Sequence, residues 1–470
     1  MLAACAAGPD YERPTLPLPA AYKEAGPWKE AQPQPAGSNQ PWWEAYQDSL
    51  LNGLMQDAER ANQTIRQAEA QYRQARALVD VARADLAPTV GLDAGAQRAR
   101  TNAADASGAP SAKRSSEVSL GLSASWEPDL WGSVRRDIES GQANAQAVAD
   151  DLAAAHLSIQ ATLAQDYFQL RITDQQRALY ATTIEGYARA LKLTRAQHAA
   201  GVALLSDVAQ AETQLHSAEA AAVDLAAQRS QLEHAIAVLT GRAPADFNLP
   251  EADAAQTPGM ALPATPGGLP SQLLERRPDI AAAERRAAKA NADIGVARAA
   301  YFPTLSLSAS RGVTGSGLGN LFDTPGRVWS LGAALAQTLF DGGLRQAHDA
   351  EAVAAYDVAV ATYKQTVLSG FQQVEDALAL LRVLDQEAAL QAQAVQSAEL
   401  AERLAMSQYR AGTASYLSVV SAQATSLSNQ RNAVQLRGRQ LAASVNLITA
   451  TGGGWRTDND HSPSAASKPM

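Results

Sequence analysis

Two hydrophobic periods alternate along this chain, and the switches between them divide it. From Trp42 to about Pro88, Leu50, Leu51, Leu54, Met55, Ala58, Ala61 and Ile65 recur at three- and four-residue steps, with Gln, Arg, Glu and Asp opposite, which predicts an amphipathic helix. At Pro88 the period drops to two. Residues 89–96 and 117–127 place apolar side chains on one parity and Thr, Ser, Gly and Asp on the other, predicting two strands joined by a polar loop over about 97–116. The helical period returns at Gly132 and holds to Ala200 without a proline, enough for a helix of about 100 Å. Ala200-Gly201-Val202-Ala203 breaks it, a second helix follows over about 205–240, and Gly241 is its C-cap candidate. The pair reads as an antiparallel hairpin with its tip at Gly201.

After a Pro-rich linker over 242–270 the plan repeats at an offset near 211 residues. Ala87-Pro88-Thr89-Val90 parallels Phe302-Pro303-Thr304-Leu305, and Ala200-Gly201-Val202-Ala203 parallels Ala411-Gly412-Thr413-Ala414. Leu239-Thr240-Gly241 likewise parallels Ala450-Thr451-Gly452. A tandem duplication follows, with repeats over 42–241 and 271–455 and the second pair of strands at about 304–313 and 328–340, where Trp329, Leu331, Ala333, Leu335 and Leu339 share a parity. Residues 1–41 form a leader rich in proline, and 456–470 a polar tail expected to be disordered.

Strands of about ten residues with one apolar face can cross a bilayer when tilted, but four cannot close, and an open edge in lipid leaves backbone groups unsatisfied. If they span, the barrel is shared: two copies give eight strands and three give twelve. Eight leave room only for side chains, whereas twelve can leave a channel, and the Thr, Ser, Gly and Asp parity suits a water-filled lumen. The competing reading is a soluble sheet at one end of a helical bundle.

Composition narrows the class. Hydrophobic residues make up 46% of the chain but aromatic ones only 5%, which suits closely packed long helices. A net charge of -9 provides no basic field for nucleic acid. The single cysteine excludes an intrachain disulfide and any Cys-cluster zinc site. No run of about 18 apolar residues predicts a transmembrane helix, which says nothing of strands. Leu2-Ala3-Ala4-Cys5 has the form of a lipoprotein processing site, although a usable signal needs a longer basic and apolar stretch ahead of it.

Enzymatic signals are thin, and no catalytic residue, metal site or cofactor is expected. His198, His216 and His234 are 18 residues apart, so the last two share a helix face about 27 Å apart, too far for one metal ion. Gly315-Ser316-Gly317-Leu318-Gly319 lies between strands rather than at a strand-to-helix turn, so it is no nucleotide fingerprint. Glu375 and Asp376 read as a solvated helix face.

Cys5 followed by Gly-Pro-Asp-Tyr-Glu-Arg-Pro, the run Leu274-Glu275-Arg276-Arg277-Pro278-Asp279-Ile280, Leu339-Phe340-Asp341-Gly342-Gly343, Tyr409-Arg410-Ala411-Gly412 and Gly452-Gly453-Gly454-Trp455 occur together. In these the chain resembles the TolC-like outer-membrane efflux factors, lipoprotein branch of the OprM and NodT type. The resemblance implies a mainly α fold with four β-strands, in which tandem-duplicated helical hairpins form a trimeric α-barrel tunnel continued by a shared twelve-stranded transmembrane β-barrel. It implies a homotrimer in the outer membrane of a Gram-negative bacterium, extending into the periplasm, with an N-acyl and S-diacylglycerol lipid on Cys5. Its partners would be a periplasmic adaptor protein and an inner-membrane pump of the resistance-nodulation-division (RND) class, the subunit itself being a passive exit duct for small molecules. Adaptor docking would fall on the tips at Gly201-Val202 and Gly412-Thr413. The family's gate of Leu, Asp and Arg reads Leu417, Ser421 and Ala424 here, so the expected gate is apolar with a weak electrostatic filter. A type I protein-secretion duct of the same architecture, and a periplasmic coiled-coil scaffold without a pore, remain as alternatives.

Overall fold

The structure, a computed structural model, describes residues 7–17, 19, 21–24, 41–104, 110–251, 262–263, 276–322 and 326–453. Cys5, most of the linker and the tail lie outside the described residues. In chain order the elements are α1 (Ser49–Ala61), α2 (Gln63–Ala84), β1 (Thr89–Ala104), β2 (Pro110–Trp126), α3 (Ser133–Ala199), α4 (Leu205–Leu239), α5 (Pro278–Ala299), β3 (Thr304–Gly315), β4 (Arg327–Ala336), α6 (Leu344–Arg410) and α7 (Tyr416–Ala450). Short 3-10 turns occupy Trp42–Tyr46, Pro244–Asp246 and Leu318–Asn320. Helices α2 and α5 both have 22 residues, α3 and α6 both 67, and α4 and α7 both 35.

Three boundaries differ from the periodicity. The helix expected to run unbroken from Trp42 is split at Asn62, whose backbone turns extended. Its side chain explains the break: Oδ1 accepts the amides of Thr64 at 2.9 Å and Ile65 at 3.1 Å, capping α2, while Nδ2 donates to the Leu239 carbonyl at 2.8 Å. The predicted loop over 97–116 is instead mostly strand. The β1–β2 ladder continues from Gln97↔Glu117 to Ala104↔Pro110, because backbone pairing persists where alternation has faded. Strand β4 stops at Ala336, four residues early, so Leu339 and Phe340 are off the strand. Beyond it Asp341 prepares α6, accepting the Gly343 amide at 3.0 Å and the Arg345 guanidinium at 2.6 Å.

The chain packs as two compact units, each assembled from segments of both halves. The first comprises Met1–Thr15, Ala70–Ala149 and Ala282–Lys364. It holds one antiparallel sheet in the order β1-β2-β3-β4, with the flanking helices all joining the same end of the strands. The leader is pinned here. The Ala7 amide donates to the Trp131 carbonyl at 3.0 Å, Arg136 Nε donates to Ala7 O at 3.1 Å, and the Tyr11 hydroxyl donates to Glu284 at 2.6 Å.

The second unit comprises Leu16–Glu69, Asp150–Ala281 and Gln365–Met470. Its main core joins Leu51, Leu54 and Met55 of α1 to Leu163, Phe168 and Ile172 of α3, Ile236 of α4, and Leu441, Val445 and Ile448 of α7. A further cluster lies nearer the tips, built from Tyr187, Leu191, Val208, Leu215, Tyr409, Tyr416 and Val419. The leader continues onto this unit, where the amides of Lys23 and Glu24 donate to the Glu375 carboxylate at 2.7 and 2.9 Å. Glu375 is thus a clamp for the leader rather than part of a solvated face.

Candidate functional site

Cross-strand register sorts the sheet into two chemically distinct faces. Val90 lies opposite Ala124, Ala124 opposite Ala309, Ala309 opposite Leu331, and Leu305 opposite Leu335, so the apolar parities of all four strands fall on one face. Val90, Leu92, Leu122, Trp329, Leu331 and Leu335 are each more than half exposed on it. In water such a continuous patch would drive aggregation, whereas in hydrocarbon it has its proper solvent. The opposite face carries Thr89, Asp93, Ser119, Ser123, Ser308 and Ser310. There Ser123 donates to Asp93 at 2.6 Å, and the hydroxyls of Ser310 and Ser330 lie 2.8 Å apart. Gly121 lies opposite Gly312, and a Cβ on Gly312 would come within 2.8 Å of the Leu120 carbonyl. Among the described residues β1 and β4 are edges, each paired on one side only.

The two hairpin tips share one geometry. At the first, Gly201 takes φ +76, its amide donates to His198 O at 2.9 Å and that of Val202 to Gln197 O at 2.8 Å. At the second, Gly412 takes φ +73, donating to Tyr409 O at 3.0 Å, and Thr413 donates to Gln408 O at 2.9 Å. Both are Schellman closures, for which the left-handed residue is best a glycine. Nothing lies within 4 Å of where a Cβ would stand on either glycine. The first tip presents Val202, Leu204 and Leu205, all exposed. Neither leucine was singled out from the sequence, which placed only Gly201-Val202 at this tip.

On α7, Leu417, Ser421 and Ala424 lie along one exposed stripe, at steps of four and three residues. Tyr416, Val419, Gln423 and Ser426 are buried on the other side of the helix. No carboxylate occurs anywhere in α7, whose charges are Arg431, Arg437 and Arg439. The structure therefore brings the three gate candidates together on a surface that carries no acid from its own helix.

Of the three evenly spaced histidines two are locally engaged, and His234 is exposed. His198 Nδ1 lies 2.9 Å from Ala203 O, and His216 Nδ1 lies 2.9 Å from Glu219. Among the described residues no group of three or more His, Cys, Asp and Glu is placed to hold a metal ion, and no helix is long and apolar enough to cross a membrane.

A sheet apolar on one side and hydroxyl-lined on the other, continued by paired 67-residue helices, defines a subunit of a membrane β-barrel channel. The family model described as outer membrane efflux protein matches residues 54–242 and again 269–453, and the chain belongs to that family: it is an outer-membrane efflux channel subunit. Outer membrane protein OprJ of Pseudomonas aeruginosa is 33% identical over 457 residues, covering 97% of this chain and 94% of OprJ. The pyoverdine export outer membrane protein OpmQ of the same species is 33% identical over 421 residues, covering 89% of this chain and 88% of OpmQ. The solved outer-membrane channel OprN superposes with a TM-score of 0.88 at 30% identity, covering 96% of this chain and 100% of OprN.

Proposed function

We propose that three copies of this chain close a twelve-stranded barrel and act as the passive exit duct of an efflux system, receiving small molecules from an inner-membrane pump through a periplasmic adaptor. The observation that carries this reading is the sheet with two free edges and small inner residues. An eight-stranded barrel has its interior filled by side chains, and Gly121, Gly312, Gly332 and the serines beside them are too small to fill it. Twelve strands leave that face around water. Native mass spectrometry of the detergent-extracted protein, with conductance in planar bilayers, tests it: a threefold mass and stable ion conduction are expected, and a non-conducting monomer or dimer would refute it.

The finer assignments follow from position. Adaptor docking is assigned to Gly201-Val202 and Gly412-Thr413, with Leu204 and Leu205 adding apolar contact at the first tip. Leu417, Ser421 and Ala424 form the periplasmic constriction, closed mainly by leucine. An RND-type pump is what the resemblance implies, and pump-driven efflux rather than protein secretion is supported by relatives bearing efflux-pump names, among them the probable efflux pump outer membrane protein TtgC of Pseudomonas putida. For Cys5, an N-acyl and S-diacylglycerol anchor is supported by Ala7, which is held where the strands meet the helices; two residues of chain reach at most about 7 Å from there. Mass spectrometry of the native N-terminus, expected to find both acyl groups, tests the anchor.

A further inference from the structure

Five arginines stand on the apolar parity of the strands, toward the ends remote from the helices. Arg98 and Arg100 of β1, Arg114 of β2, Arg311 of β3 and Arg327 of β4 are all exposed. Register fixes their face: Arg100 lies opposite Arg114, Arg311 opposite Trp329 and Arg327 opposite Val313. At the helix-side ends the same face carries Val90, Trp126, Leu305 and Leu335, and no charge. Among the described residues none of the five is engaged in an ion pair. The overall charge is -9, so a rim of guanidiniums with no acid among the described residues of its face runs against the composition.

Their height decides what they meet. With about 3.4 Å per residue and strands tilted by about 40°, each residue climbs about 2.6 Å, so Arg98, Arg100, Arg114 and Arg327 stand roughly 23–31 Å above the helix-side ends. An outward apolar band is about 25 Å tall, which puts these four at or beyond its outer border. Arg311, at roughly 18 Å, reaches the border by extending its side chain. A carbon-rich wall topped by guanidiniums is complementary to a lipid with an anionic headgroup. The planar fork of arginine matches phosphate oxygens two at a time, and basic residues at a membrane surface add to one another in attracting anionic lipid.

We propose that this rim binds the phosphorylated glycolipid of the outer leaflet, with guanidiniums on its phosphates and acyl chains along Leu92, Leu122 and Leu331. This rests on the twelve-stranded reading, in which helices face the periplasm and the rim recurs three times around the barrel. The test uses full-length protein in phosphatidylcholine nanodiscs, with lipid A in its bis-phosphorylated or dephosphorylated form and bound lipid counted by native mass spectrometry. The wild type is expected to retain the phosphorylated form roughly tenfold or more over the dephosphorylated one, and R98Q/R100Q/R114Q/R327Q is expected to lose that preference. Inorganic phosphate in excess is expected not to displace the lipid. Equal retention of the two lipids by the wild type would overturn the proposal whatever the variant does, as would an undiminished preference in the variant or displacement by inorganic phosphate. Trimer mass and conductance in bilayers free of lipid A, expected to match in wild type and variant, report on the channel reading separately.

Discussion

Replacing Asp174 by alanine tests the polar knot that ties α3 and α4 to the segment after α4. The Asp174 carboxylate, 3% exposed, pairs with Arg229 Nε at 2.7 Å and Arg171 Nη1 at 3.3 Å. Those guanidiniums, 9% and 11% exposed, also donate to the carbonyls of Leu249 at 2.8 Å and Pro250 at 3.1 Å. Glu233 completes the knot, pairing with Arg229 at 3.1 Å and accepting the Leu249 amide. Breaking a buried pair typically costs about 3–5 kcal/mol, because the remaining charge stays buried without its partner. Glu233 continues to neutralise Arg229, which places D174A at the lower end, near 3 kcal/mol, or about a 150-fold shift in the unfolding equilibrium. Asp80→Ala is the control, since its pair with Arg83 has both side chains more than half exposed and is worth less than about 0.5 kcal/mol. Heat unfolding in detergent gives the stability, and hydrogen exchange at the Leu249 amide reports whether the segment has come loose. If D174A unfolds like D80A and Leu249 stays protected, the knot is not what holds this segment.

Gly312→Val would drive a Cβ to within 2.8 Å of the Leu120 carbonyl and 2.9 Å of Gly121, so β2 and β3 must part; trimer yield on unheated gels is expected to fall severely, and normal yield would contradict the close approach. Hydrogen bonding to Glu59 raises the His156 pKa above its ordinary 6.5 despite burial; burial would raise Glu59, but hydrogen bonds from His156 and Gln160 hold it below its ordinary 4.5. The pair therefore stabilises fully between those values, losing its contribution as pH rises through the raised His156 pKa or falls through the lowered Glu59 pKa. His156→Gln should abolish the alkaline loss in melting scans above neutrality, and parallel curves for variant and wild type would show that the pair does not titrate there. Because α7 holds no carboxylate, divalent cations should block the wild-type channel weakly at the periplasmic end, and Ser421→Asp, adding one carboxylate per subunit beside Leu417, should create such a block. Strong blockade of the wild type from that end would sink the apolar-gate reading.

Where the sequence was legible, one side of an element met protein and the other met water. The span Leu205–Leu239 falls within a residue of its expected limits because the glycines before and after it punctuate an uninterrupted helical period. Asn62 was not legible, since a polar residue on an amphipathic helix looks the same whether it faces solvent or turns back to cap the next helix. The outer halves of β1 and β2 escaped for another reason: past the apolar band neither face needs to be hydrophobic, so alternation disappears while the ladder from Gln97 to Ala104 continues. The leader has no period at all, and its anchors Trp131, Arg136, Glu284 and Glu375 are more than a hundred residues away. On α7 the resemblance rather than periodicity marked Leu417, since a leucine ordinarily signals core and a glutamine surface, yet Leu417 is 60% exposed and Gln423 4%. Hydrophobicity reports burial only while water is the sole outside. A subunit of a shared barrel has three outsides, namely lipid for Leu331, the lumen for Ser123 and neighbouring copies for β1 and β4, so its exposed leucines mark function where those of a monomer would mark error.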